Sequence, residues 1–291
     1  MPRFSKTREE NKKVFEDTKR LCESNEHLKA SVAKATNGQK MIPETEQLAK
    51  PERDRFDEDA RVVISDRRSF EAAKPYAVSG NKVAVHNFAS ASNPGGGVVT
   101  GASAQEECLC RCSGLYFSLN DTEMWNRFYA PHRAAQTPLH NDDIIYTPGV
   151  TVFKTDTSHP EVMPEEDWYD VDVITCAAPN LRHIPSNSYN SGDGNAAMKI
   201  SDSRLQAIHE KRLRRILDAA LLEGIDTVIL GAFGCGAFRN SPRCVATAAV
   251  RVLPDYLRAF RNIEFAVYCR PDDDTNYRTF RSLLGRYTRG R

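Results

Sequence analysis

The sequence predicts an α/β protein built around a largely parallel sheet. After residue 60, short runs rich in β-branched residues alternate with amphipathic helical segments, and two of the runs lead directly into glycine-rich loops. Such alternation is typical of sheets whose strands are connected by crossover helices. The length of 291 residues is enough for one large domain with an extension.

The first 60 residues predict a helical extension. Thr7 and Glu10 match a capping box, and the apolar spacing that follows predicts a helix over 7–23. A second helical pattern stops at Asn37-Gly38, and the polar stretch 39–60 predicts an irregular segment. Because one apolar stripe per helix cannot form a core, we expect 1–60 to pack on a domain formed by 61–291.

Six strands and two long helices are predicted in that domain. The strands are expected at 61–65, 82–87, 144–147, 171–176, 227–230 and 263–268. Helices at 201–222 and 241–260 would return the chain across the sheet. Residues 185–200 show no periodicity, so we expect a loop beside the site.

Composition excludes several classes of function. The net charge of +1 does not imply nucleic-acid binding, and no apolar run approaches the roughly 18 residues that a bilayer requires. No secretory signal is visible, so we expect a cytoplasmic protein. Cys108, Cys110 and Cys112 would point to different sides of a helix, so we expect reduced core cysteines and no metal site.

The residues around the first glycine loop predict a strand, a loop and the N-terminus of a helix. Asn93 and Pro94 precede three glycines at 95–97, which cannot continue a strand. Ser103 is the predicted N-cap, and Leu109 and Leu115 are expected on the apolar face of the helix. Glycines and a helix N-terminus together favour bound phosphate.

Two adjacent carboxylates make this loop unusual. Glu106 and Glu107 fall in the first helical turn, where they would repel a phosphate dianion. We therefore expect at least one of them to have a chemical role. Consecutive helical residues point about 100° apart, so one would act while the other holds a neighbouring group.

A second glycine loop follows the predicted strand at 227–230. Residues 231–240 read GAFGCGAFRN and lead into the next helix. Since ligands bind at the carboxyl ends of parallel strands, both loops would meet at one edge and could share a diphosphate. The spacing of these glycines does not match the dinucleotide-binding fingerprint, and this mismatch argues against a dehydrogenase.

Each signal also has a structural interpretation. A run of glycines can be only a flexible loop, and a Gln-Glu-Glu triplet can be only a solvated helix face. His86 is more often a satisfied core histidine than a catalyst. Phe233 and Phe238 could be core aromatics or stacking surfaces for adenine or ribose.

The combined motifs resemble the poly(ADP-ribose) glycohydrolases. The glycines at 95–97 and the Gln-Glu-Glu at 105–107 resemble the signature of that family, and the order of NFASASNPGGG, QEECLCR, IIYTPGVTVF, VITCAAPN and ILGAFGCGAF is similar to its bacterial type. The resemblance implies a three-layer α/β/α macrodomain with a mixed, mostly parallel central sheet and an N-terminal helical extension. It also implies hydrolysis of the ribose–ribose bond without a metal or other cofactor.

The resemblance assigns roles residue by residue. It implies that Glu107 is the catalytic acid and that Glu106 and Gln105 hold the substrate's ribose. It implies that the two glycine loops bind the diphosphate and that Phe238 packs against the distal ribose and adenine. The further expected substrate contacts are Asn87, Ala89, Asn93, Gly95, Gly96, Gly97, Val98, Gly234, Cys235, Gly236 and Ala237.

Three functions stay open at this point. The first is a glycohydrolase that removes terminal ADP-ribose from poly(ADP-ribose), with poly(ADP-ribose) or ADP-ribosylated protein as its partner and a monomer as the expected state. The second is a hydrolase of mono-ADP-ribose on protein or nucleic acid. The third is a module that binds ADP-ribose without cleaving it, which the intact pair Glu106 and Glu107 argues against.

Overall fold

The fold is a seven-stranded mixed sheet covered by helices on both faces. The computed structural model describes residues 3–185, 196–270 and 272–288. The strands are β1 (Lys40–Ile42), β2 (Arg61–Ser65), β3 (Val83–Ala89), β4 (Ile144–Val152), β5 (Tyr169–Ala177), β6 (Thr227–Leu230) and β7 (Asn262–Ala266). Their order across the sheet is β1-β4-β5-β3-β6-β7-β2.

The sheet is mostly parallel, as predicted. β3 pairs in parallel with both β5 and β6, and β7 pairs in parallel with β6 and β2. β4 pairs antiparallel with β5 and β1. All six predicted strands are confirmed, although β4 runs five residues beyond the predicted end.

Strand β1 was not predicted. It contains only three residues within a polar stretch, so its short apolar pair, Met41 and Ile42, gives almost no periodic signal. Its partner β4 supplies the pairing that the local sequence does not indicate, with Met41 opposite Ile145. The expectation of an irregular segment over 39–60 is therefore wrong at 40–42, and the extension contributes a strand to the sheet.

The helices largely follow the predicted segments. They are α1 (Arg3–Ser24), α2 (Glu26–Asn37), α3 (Ser69–Val78), α4 (Gln105–Cys112), α5 (Leu115–Leu119), α6 (Thr122–Met124), α7 (Ala130–Ala135), α8 (Asp202–Leu222), α9 (Pro242–Val252) and α10 (Thr275–Leu284). Helix α1 begins four residues before the predicted start. Helix α9 ends eight residues early because Leu253–Asp255, which includes Pro254, forms a 3₁₀ turn. The predicted loop over 185–200 falls largely on 186–195, outside the described residues.

The alternation of side chains along β3 divides the core between the two faces. Val83 and Val85 pack with residues of α1, α3 and α4, whereas Ala84 packs with residues of α8, α9 and α10. Because both faces are covered, the molecule has three layers, helices on either side of the sheet, and the predicted fold class is confirmed.

The two glycine loops follow neighbouring parallel strands. β3 and β6 are paired with Val85 opposite Ile229, so the loops that follow them begin at the same edge of the sheet. None of the helices within the described ranges combines the length and apolar character needed to cross a bilayer.

Candidate active site

The end of β3 is held by the side chain of Gln105. β3 pairs with β5 as far as Ala89, but its pairing with β6 stops at Val85. Beyond Val85 the side chain of Gln105 bonds the β3 backbone in place of β6. Its Oε1 accepts the Phe88 N–H at 2.9 Å, and its Nε2 donates to the His86 carbonyl at 2.8 Å. The Nε2 also donates to Ser69 Oγ at 3.0 Å. The amide of Gln105 is thus engaged by the protein itself, and its expected contact with the ribose stays a prediction.

The first glycine loop closes into a short 3₁₀ turn before α4. Gly95 and Gly96 have φ values of +65° and +59°, in the left-handed region that side chains disfavour. Residues Val98–Thr100 form the turn, and the Ala102 N–H then donates to the Gly97 carbonyl at 3.0 Å. The loop is therefore folded back on itself by its own backbone.

Helix α4 differs from the prediction at both ends. Its first helical hydrogen bond joins the Cys108 N–H to the Ala104 carbonyl, so Ala104 is the N-cap and the prediction of Ser103 is wrong. The helix ends at Cys112, whose carbonyl accepts the N–H groups of Phe153 and Lys154 instead of continuing the helix. Leu115 consequently lies in the separate helix α5.

The carboxylate of Glu106 is fully engaged by hydrogen-bond donors. One oxygen accepts Asn87 Nδ2 at 3.2 Å and the other accepts the Ser90 N–H at 2.7 Å. The Gly95 N–H is a third donor. Glu106 is only 2% exposed. Burial and the neighbouring Glu107 carboxylate raise the pKa of Glu106 well above its usual value, although the N–H donors act in the opposite direction.

The carboxylate of Glu107 is only half engaged. Its Oε1 accepts the Gly97 N–H at 2.8 Å, while its Oε2 is buried and has no partner among the described residues. Both glutamates face Gly96, where a Cβ atom would lie 2.5 Å from Glu107 Oε1 and 3.0 Å from Glu106 Oε2. Glu107 Oε2 is thus the free oxygen of a paired carboxylate site.

The backbone N–H groups of the first loop donate to acceptors within the protein. The N–H groups of Gly96 and Val98 donate to the carbonyls of Asn93 and Gly95, and those of Gly95 and Gly97 donate to the glutamates. Ala89 and Val98 are fully buried. In this structure these N–H groups orient Glu106 and Glu107 and close the loop, and the expected contact of the loop with phosphate stays a prediction.

The second loop presents free backbone donors. Gly234, with φ of +76°, lies so close to Ala178 that a Cβ would approach its methyl group to 2.6 Å. Within the described ranges, the N–H groups of Gly234, Gly236, Ala237 and Phe238 donate to no protein acceptor. A run of free N–H groups in such a turn forms an anion-binding concavity. Cys235 is half-buried, and its N–H instead donates to the Ala232 carbonyl at 3.0 Å.

Asn240 fixes the shape of the second loop. It is 2% exposed, and its Nδ2 donates to the carbonyls of Pro179 at 2.6 Å, Gly234 at 3.2 Å and Phe238 at 3.3 Å. Its Oδ1 lies 2.8 Å from His209 Nε2 on α8. Sequence reasoning missed this residue, although an asparagine directly before the Ser241 N-cap was a possible signal of a loop-ordering side chain.

The two phenylalanines of the second loop have different environments. Phe233 is 6% exposed and packs against His86, with ring centroids 4.4 Å apart, so it belongs to the core. Phe238 is half-buried in the last part of the loop, between the exposed residues Ala237 and Arg239, and the Arg182 guanidinium lies 5.6 Å from its ring centroid. Only Phe238 therefore stays a candidate stacking surface.

His86 lies in the core, but one of its ring nitrogens lacks a hydrogen-bond partner among the described residues. Its ring is 4% exposed, and Nε2 has no partner within the described part of the chain. Burial, with a smaller contribution from nearby His209, lowers the pKa of His86 to about 3, so its imidazole is neutral.

Arg133 and Ser90 are further site residues that the sequence did not indicate. Arg133 on α7 donates to the Ser92 carbonyl at 2.7 Å and to Asn93 Oδ1, and its guanidinium lies 4.7 Å from the Trp125 ring centroid. Arg133 thereby orients Asn93 directly before the glycines. Neither residue belongs to a recognisable local pattern, because each acts through a contact made by the fold.

Solved structures of similar proteins cover nearly the whole chain. Poly(ADP-ribose) glycohydrolase from Thermomonospora curvata matches with a TM-score of 0.80 and 28% identity, over 95% of this chain and 100% of that chain. The same enzyme bound to the inhibitor ADP-HPD matches with a TM-score of 0.78 and 28% identity, over 94% and 99%. The enzyme from Deinococcus radiodurans in complex with ADP-ribose matches with a TM-score of 0.72 and 30% identity, over 88% and 97%.

The family is also shown at the level of sequence. No curated protein sequence matches the chain significantly. The sequence model of the microbial-type poly(ADP-ribose) glycohydrolase catalytic domain matches residues 9–155, which include the first glycine loop and both glutamates. The chain therefore belongs to the microbial-type poly(ADP-ribose) glycohydrolase family.

Proposed function

We propose that this glycohydrolase cleaves the ribose–ribose O-glycosidic bond at the end of poly(ADP-ribose) and that Glu107 is its general acid. The observation that supports this assignment is the difference between two neighbouring carboxylates. Glu106 is engaged by three N–H donors, whereas Glu107 Oε2 is buried and unpartnered. Only Glu107 has an oxygen free to exchange a proton with the substrate.

The two glutamates share one buried site beside Gly96. Two buried carboxylates that face the same glycine cannot both ionise at low cost. Burial and the neighbouring Glu107 carboxylate accordingly raise the pKa of Glu106 well above its usual value. Glu106, held by Asn87 and Ser90, stays fixed beside Glu107.

The reaction then needs one acid. Glu107 protonates the departing ribose oxygen, the C–O bond breaks with its electron pair on that oxygen, and an oxocarbenium-like ribose develops. Glu106 and Glu107 are adjacent on one helix, so they cannot flank the bond from opposite sides as in two-carboxylate glycosidases. Water attacks the anomeric carbon, and Glu107 takes back a proton from it.

We assign the diphosphate mainly to the second glycine loop. This assignment is supported by the free N–H groups of Gly234, Gly236, Ala237 and Phe238. The N–H groups of the first loop, by contrast, already donate to the glutamates and to carbonyls of the loop itself. Gly95, Gly96 and Gly97 would then border the diphosphate while holding the acid. A diphosphate near the reacting ribose would stabilise its developing positive charge.

The remaining residues fit around this arrangement. Phe238, half-buried in the last part of the second loop, offers a face to the distal ribose. Asn93, oriented by Arg133, borders the first loop, and we assign it to the ribose on the basis of this position. Gln105 positions the end of β3 and acts on the substrate only through that strand.

Two substrates test the proposal. Purified protein is incubated with protein that carries poly(ADP-ribose) and, separately, with protein that carries single ADP-ribose units. We expect ADP-ribose to be released from the polymer, with the chains shortening from their ends. Release only from singly modified protein would favour the mono-ADP-ribosyl hydrolase, and tight ADP-ribose binding without cleavage of either would favour the non-catalytic module.

A further inference from the structure

Helix α1 lies directly against the catalytic loop. Asn11, which is 8% exposed, donates from Nδ2 to the Gly101 carbonyl at 3.0 Å across 90 residues of chain. Gly101 has φ of +75°, and a Cβ there would collide with the backbone carbonyl of Arg8. The backbone of the helix and the backbone of the loop therefore touch, and the side-chain hydrogen bond of Asn11 fixes their alignment.

The contact at Gly101 is connected to the acid through backbone hydrogen bonds. The N–H groups of Thr100 and Ala102, on either side of Gly101, both donate to the Gly97 carbonyl at 3.0 Å. Gly97 in turn donates its own N–H to Glu107 Oε1 at 2.8 Å. The position of Gly101 thus determines where the peptide groups of Gly97 lie, and Gly97 is the only donor to Glu107 among the described residues.

A second contact from the same helix reaches the other end of the glycine run. The Phe15 ring packs edge-on against Tyr116, with centroids 4.9 Å apart. Tyr116 in turn lies where a Cβ on Gly95 would approach its ring to 2.7 Å. Gly95 donates its N–H to Glu106. Helix α1 therefore reaches both ends of the loop that holds the carboxylates, at Gly101 directly and at Gly95 through Tyr116.

We propose that Asn11 is a positioning residue for the glycosidic step, and that it acts through its bond to Gly101. This inference rests on the proposed role of Glu107. Without the bond to Asn11, the Gly101 carbonyl is free to rotate, Gly97 moves with it, and Glu107 Oε2 loses its fixed direction. Misplacement of a reacting group by about 1 Å can cost roughly 100-fold in rate.

A structural role of α1 would produce a different pattern. Thr18, on the same helix, donates from Oγ1 to the Arg111 carbonyl at 2.5 Å, and it is also buried. That bond joins α1 to the backbone of the last turn of α4, while the side chain of Arg111 donates separately to the Ala102 carbonyl. Thr18→Val therefore removes a comparable buried bond from the same helix and leaves the Asn11–Gly101 bond in place.

The experiment compares Asn11→Ala, Asn11→Ser and Thr18→Val with the unaltered chain. For each, kcat and KM on poly(ADP-ribose), the Kd for ADP-ribose and the Tm are measured. We expect kcat of Asn11→Ala to fall about 10-fold or more, with Kd and KM within about twofold because the second loop is unchanged. Thr18→Val should lower Tm to a similar extent but keep kcat within about twofold.

Other outcomes decide against the inference. An unchanged kcat for Asn11→Ala, or equal losses of kcat in Asn11→Ala and Thr18→Val, would show that α1 acts only through stability. Partial recovery of kcat in Asn11→Ser, which keeps a short donor, would support positioning. If the unaltered chain binds ADP-ribose but cleaves no polymer, the proposed function fails and the inference fails with it, whereas an active unaltered chain with an unchanged Asn11→Ala overturns the inference alone.

Discussion

Gly96→Ala tests whether the glycine run is needed to seat the glutamates. A Cβ at this position would lie 2.5 Å from Glu107 Oε1, so Glu107 must retreat by about 0.9 Å to reach an ordinary contact of 3.4 Å. That retreat is enough to break its bond with the Gly97 N–H. The φ of +59° adds roughly 1–2 kcal/mol of backbone strain for any L-residue.

The expected result is a loss of rate rather than of binding. A displacement near 1 Å predicts a kcat lower by about 100-fold, whereas the Kd for ADP-ribose should change by less than about threefold because the free N–H groups lie on the second loop. Release of ADP-ribose from polymer gives kcat, and calorimetry gives Kd.

Gly149→Ala is the matched control for Gly96→Ala. Gly149 has φ of +60°, almost the same as Gly96, but nothing lies within 4 Å of its Cβ position. Both variants therefore suffer the same backbone strain, and only Gly96→Ala meets the carboxylates. If the two variants lose equal activity, or if Gly96→Ala keeps kcat within about threefold, the seating of Glu107 does not depend on Gly96 as described.

Two further predictions concern the second loop and the buried histidines. Asn240→Ala removes three hydrogen bonds and leaves the Pro179 carbonyl without a donor among the described residues, so it should weaken ADP-ribose binding by about 10-fold and lower the free energy of unfolding by about 2 kcal/mol. Asn262→Ala, which loses one bond to Thr227 at the opposite edge, should leave the Kd unchanged, and equal Kd values would contradict the role of Asn240. Burial lowers the folded-state pKa of His86 to about 3 and of His209 to about 4, against an unfolded value near 6.5. Between these values the unfolded chain binds more protons, so stability is fully present above pH 6.5 and is lost as pH falls, by at most about 2 kcal/mol per group at pH 5. Urea unfolding at pH 7 and pH 5 measures this loss, and equal stability at both would contradict it.

Much of the fold follows from local sequence signals. The strands at 61–65 and 227–230 coincide with the prediction because β-branched runs between turn residues are a strong signal. β1 was missed because three residues have no measurable period, and its identity as a strand depends on pairing with β4. The start of α4 was misplaced because it is set by the closed backbone of the first loop rather than by a capping side chain.

The sequence predicted many of the residues that form the site, but not the hydrogen bonds that join them. The sequence indicated that Glu106 and Glu107 would have separate roles, and the structure gives them different partners. It did not indicate that the first loop's N–H groups are turned toward the carboxylates, since glycines alone do not specify which acceptor they face. Asn11 and Asn240 were missed for the same reason: each acts through contacts that only the folded chain brings together.

The most direct test of the account is single-turnover release of ADP-ribose from poly(ADP-ribose) by Glu107→Gln. The amide keeps an oxygen to accept the Gly97 N–H, so the loop should stay folded while the acid is lost. The account predicts a rate lower by about 10³-fold, with the Kd for ADP-ribose within about threefold of the unaltered chain. A rate within about 10-fold of the unaltered chain would contradict the assignment of Glu107 as the acid.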